Sequence, residues 1–61
     1  MTQKELLYVE DAIGHEQNMI EILKDTINNL QEKSLISFLK VELKKHYAML
    51  EKLMNKLEDK S

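Results

Sequence analysis

The chain has 61 residues, no cysteine, no proline and one glycine; 43% of it is hydrophobic, and nine Lys against eleven Asp and Glu give a formal net charge of −2. This composition excludes a disulfide or thiolate–metal staple, a linker-like chain, and disorder from want of apolar residues. The slight acidic excess and the absence of Arg argue against nucleic-acid binding. There is no apolar run of about 18 residues to cross a membrane.

The first predicted element starts at Thr2. Thr2 and Glu5 have the T-x-x-E spacing of a capping box, in which each side chain serves the other's free backbone N–H. From there Leu6, Ile13, Ile20 and Ile27 recur every seven residues, with Val9, Glu16, Leu23 and Leu30 three residues after each. Spacing of this kind marks an amphipathic helix, coiled-coil-like, that packs against a partner. Glu5, Glu10, Asp11 and Glu16 also make residues 1–20 unlike a secretory signal peptide, so an intracellular protein is expected.

The ladder would next reach Ser34, but the apolar pattern resumes at Ile36 instead, after the polar stretch of Asn28, Asn29, Gln31, Glu32 and Lys33. That jump predicts a break between two helices. Ser34 is the expected N-cap of the second, with Glu32 as the alternative if the helix starts earlier. The second ladder is Ile36, Leu43, Leu50 and Leu57, with Leu39, His46 and Leu53 three residues on. The expectation is a single domain over 1–61, with helix 1 at about 2–30, a turn at about 31–33 and helix 2 at about 34–59. A connection this short makes the helices antiparallel neighbours. The fold class is therefore all-α, an antiparallel two-helix hairpin.

The two ladders interlock. Folding the chain back on itself sets Leu6 against Leu57, Val9 against Leu53, Ile13 against Leu50, Ile20 against Leu43, Leu23 against Leu39 and Ile27 against Ile36. The same register sets Glu16 against His46. Charge agrees with it: residues 1–30 hold two Lys and six acids, net −4, and residues 33–61 hold seven Lys and four acids, net +3.

One seam leaves apolar residues over. Ala12 and Met19, with Tyr8 and Ile22 further round helix 1, fall on the same flank as Leu35, Phe38 and Met49 of helix 2. A hairpin alone exposes this stripe, which predicts a partner surface. A second copy with two-fold symmetry would complete a four-helix bundle, so a homodimer is expected with these seven residues at its interface.

Glu16 and His46 are the ionisable residues within the ladders, and a charge there is costly unless paired. Two roles stay open. The pair can fix register, as polar residues do in coiled coils. Alternatively, two copies bring two Glu and two His towards one core, ligands acceptable to zinc, iron or manganese. Glu42, one turn before His46, and His15, on the flank with Tyr8 and Ile22, are further candidate ligands. Met19, Met49 and Met54 read as adaptable packing residues. Phosphate loops, cysteine nucleophiles, the H-E-x-x-H motif and a histidine near a suitable serine are all missing, so no enzyme is expected.

The stretch Thr2-Gln-Lys-Glu-Leu-Leu-Tyr-Val-Glu-Asp-Ala-Ile-Gly-His-Glu-Gln17 resembles the opening of the spore coat protein F-like family, and His46 within Leu-x-x-x-His-Tyr is similar to that family's second helix. The resemblance implies a ferritin-like four-helix bundle and a structural spore coat component associated with sporulation, with other coat proteins as partners. It also implies that Glu16 and His46 fall where ferritin-like ligands project inward, with ferritin-like redox activity as the residual alternative. The dimetal pattern needs Glu-x-x-His; here the residue three before His46 is Leu43, and Glu42 stands four before.

Overall fold

A computed structural model describes residues 1–59 as two helices, α1 (Gln3–Asn29) and α2 (Lys33–Glu58), packed against each other as a hairpin, with no strand among the described residues. The expected domain runs on to Lys60 and Ser61, which lie outside the described residues. The molecule is a rod of 45 × 14 × 11 Å.

Each helix begins where a side chain takes up free backbone N–H groups. Thr2 caps α1: its hydroxyl accepts from the Glu5 N–H at 3.1 Å, and its own N–H donates to the Glu5 carboxylate at 2.8 Å, completing the capping box. Hydrogen bonds from the Thr2 backbone N–H and then the Thr2 hydroxyl hold the Glu5 carboxyl below its usual range.

At α2 the cap is Glu32, the alternative to Ser34, and the helix takes in Lys33, which the pattern had left in the turn. The Glu32 carboxylate accepts from the Leu35 N–H at 2.8 Å and from the Ser34 hydroxyl at 2.5 Å. A carboxylate is the stronger acceptor and suits the positive end of the helix, so Ser34 donates to the cap instead of being it. The same two bonds, the Ser34 hydroxyl first, lower the Glu32 pKa.

Helix α1 stops at Asn29, one residue before the last rung of its ladder. Leu30 is extended (φ −98°, ψ 151°), and its N–H reaches the Ile27 carbonyl at 3.3 Å. Thr26 and Asn29 turn their side chains back to the Ile22 and Asp25 carbonyls, each at 2.8 Å, within the last turns of the helix. Leu30 remains half-buried, so it still closes the seam although it lies outside the helix. The turn needs no left-handed residue.

The ladders form the seam as their spacing requires. Every ladder residue of both helices is buried or half-buried. Ile13, Ile20 and Leu23 of α1 form the buried core, whereas α2 has no residue in the buried class. Gly14 sits mid-helix with open space where a Cβ would project, so it makes no close approach beside Glu16. Gly14→Ala should therefore stabilise the fold by about 1 kcal/mol through helix propensity alone, read as a higher midpoint in thermal or urea unfolding. An unchanged or lower midpoint would mean that the glycine serves packing after all.

Candidate functional site

Glu16 is the central residue of α1, and His46 lies at the middle of α2. Their side chains meet across the seam, with His46 Nδ1 2.5 Å from Glu16 Oε1. The carboxylate is 12% exposed and the imidazole 29%. An ionised carboxylate can only accept, so this bond with an ionised Glu16 requires the tautomer of His46 that carries a proton on Nδ1. Apolar layers flank the pair: Ile13 and Leu50 on the side of the chain ends, Ile20 and Leu43 on the side of the turn. No buried side-chain nitrogen or oxygen among the described residues lacks a hydrogen-bond partner.

The other two ligand candidates stand apart from this pair. Glu42 is paired with Lys45 within α2 at 3.1 Å, and His15 is exposed on the apolar flank. Among the described residues no group of three His, Cys, Asp or Glu converges as a metal site would require. A ferritin-like dimetal centre does not fit the donors of one chain. One carboxylate and one imidazole are present, and they are hydrogen-bonded to each other.

The second feature is the flank beside the seam. Tyr8, Ile22, Leu35, Phe38 and Met49 are all exposed, with Phe38 at 59% and Tyr8 at 62%. Ala12 and Met19 lie half-buried between them and the seam, joining the stripe to the core. Lys4 Nζ lies 5.9 Å from the centre of the Tyr8 ring, within cation–π range. At the open end of the hairpin the stripe borders a cleft of about 570 Å³ lined by Met1, Glu5, Tyr8, Val9, Leu53, Lys56 and Asp59.

Five further apolar residues are exposed: Met1, Leu7, Val41, Tyr47 and Met54. Met54, read with Met19 and Met49 as an adaptable packing residue, is 45% exposed on the single chain, as Met49 is at 46%, and falls by helical phase on the opposite flank, with Leu7 and Tyr47. Their positions on the helical wheel, off both ladders, were the available signal. They are scattered among Glu10, Gln17, Lys24, Lys40 and Lys44, and so form no comparable stripe.

No family model, curated protein or solved structure matches this chain. The likeness to the spore coat protein F-like family therefore rests on the residues quoted for it. No helix among the described residues is long and apolar enough to cross a membrane.

The Glu16–His46 contact makes a direct prediction. His46→Leu should destabilise the fold by about 1–3 kcal/mol, because it leaves a carboxylate unpaired in an apolar seam. Adding Glu16→Leu should restore stability to the parent level or above, since an apolar pair needs no partner. Urea midpoints at one fixed protein concentration measure both effects. A single variant as stable as the parent would mean that the contact holds nothing in place.

Proposed function

We propose that this protein is a non-enzymatic assembly module that works as a homodimer, two hairpins joined face to face through the apolar flank into a four-helix bundle. The observation that carries this reading is the exposed stripe of Tyr8, Ile22, Leu35, Phe38 and Met49 on one flank of the hairpin. Contiguous apolar surface rimmed by polar residues marks interaction sites.

The overall dimensions support it. The radius of gyration is 14.2 Å, against about 10.5 Å for a compact domain of this length. The chain exposes 4968 Å² at 7.2 kDa, where a compact monomer of that mass exposes about 4100 Å². The excess is roughly what one partner contributes to an interface of ordinary size, about 800 Å². A second copy laid along the rod would thicken 11 Å towards the cross-section of a four-helix bundle and cover the half-exposed side of α2.

In its more specific form the module is a structural component of the spore coat. That form is supported by the likeness of residues 2–17 and of the sequence around His46, and it implies further coat proteins as partners. In either form the bundle acts through its surface, and Glu16 and His46 serve its architecture.

The test is the mass in solution. Light scattering or sedimentation at tens of micromolar should give twice 7.2 kDa. Phe38→Asp, which sets a charge in the middle of the stripe without touching the seam, should shift the protein to monomer at least tenfold more readily. A monomeric parent under these conditions would overturn the reading.

A further inference from the structure

We infer that the partner copy docks with its α2 against α1 and with both turns at the same end of the bundle. The inference rests on the dimer reading above and specifies which helix meets which. Two face-to-face arrangements with two-fold symmetry can cover the flank. With the axis along the rod, α1 lies antiparallel to the partner's α2 and the turns share an end. With the axis across the rod, each helix lies antiparallel to its own copy and the turns are at opposite ends.

The contact between Glu16 and His46 fixes the heights of the two helices relative to each other, so the contents of each arrangement can be read off. With the axis along the rod, Ile22 comes within two residues in height of the partner's Phe38, so that two of the exposed apolar residues of the stripe are neighbours. Tyr8 comes within two residues in height of the partner's Lys52, and Asp11, on the next face round α1, comes nearly level with the same lysine. His15 comes within two residues in height of the partner's Lys45. His15 and the partner's Lys45 meet at the middle of the interface, the apolar pair lies between the middle and the turns, and an aromatic ring and a carboxylate meet a cation towards the chain ends.

With the axis across the rod, full overlap sets the axis through the midpoint, where Glu16 and His46 lie. Lys45 then abuts the partner's Lys45, and His15 abuts the partner's His15. Phe38, the aromatic residue of the α2 stripe, comes within two residues in height of the partner's Lys52. Overall charge points the same way. Residues 1–30 carry −4 and residues 33–61 carry +3, so the first arrangement sets an acidic helix on a basic one at every contact, and the second sets each on its like. Lys45 is 71% exposed on its own chain, and its ion pair with Glu42 of the same helix offsets one charge of a facing lysine pair in part.

The chain has no cysteine, so Gln31→Cys, in the exposed turn, carries a single spin label per copy. Dipolar electron paramagnetic resonance on this labelled dimer measures the distance between the two turns. Shared ends predict a separation below about 25 Å, from helix spacings of about 8–10 Å plus the label arms. Opposite ends predict a separation close to the 45 Å length of the rod. The short distance supports the inference. The long distance overturns it while leaving the dimer intact. A labelled protein whose mass is that of a monomer overturns the dimer reading and this inference with it, so the two failures are distinguishable.

Discussion

A hairpin of two helices has one seam, and that geometric limit governs the rest of this molecule. Each helix can turn one narrow stripe towards its neighbour, and everything further round faces solvent. Here the stripe residues do all that two helices allow: every rung is at least half-buried, yet only Ile13, Ile20 and Leu23 are buried and none of them belongs to α2. With no disulfide available and a core this thin, a chain of this length has few sources of stability left. The apolar flank is the obvious one, and the proposed dimer follows from the limit on the hairpin more than from any single residue.

Within that limit, Glu16 and His46 select one alignment of the two helices. Ladders of repeated Leu and Ile are nearly degenerate, and sliding α2 by a heptad would still bring apolar residues together. It would also set Glu16 against Leu39 or Leu53 and leave both polar side chains without a partner, at a cost that apolar contacts do not offset. The pair sits at the midpoint of both helices, so a slip in either direction is penalised alike. The caps add to this by fixing the helix starts: Thr2 with Glu5 at one end and Glu32 with Ser34 and Leu35 at the turn.

Most of this architecture could be read from residue spacing, because heptad repetition and antiparallel return are both simple periodic constraints. The register was available for the same reason, and the Glu16–His46 contact agrees with it to the residue. Reading failed where local chemistry decides between near-equal options. Ser34 looked like the cap because serine is common there, but the neighbouring Glu32 carboxylate outcompetes it and draws Lys33 into the helix. Leu30 kept the apolar spacing, but its extended backbone turns its N–H to the Ile27 carbonyl and leaves it just outside the helix. At the candidate site, spacing could bring Glu16 and His46 together but could not foresee that Glu42 would turn to Lys45.

The central claim is that this fold is completed by a second copy of itself. Equilibrium urea unfolding, repeated over a hundredfold range of protein concentration, tests it most directly. A fold completed by dimerisation has a midpoint that rises steadily with concentration, because association adds to the stability of the native state. A midpoint that stays the same over the whole range would show a hairpin that stands alone with its apolar flank exposed, and would contradict the account.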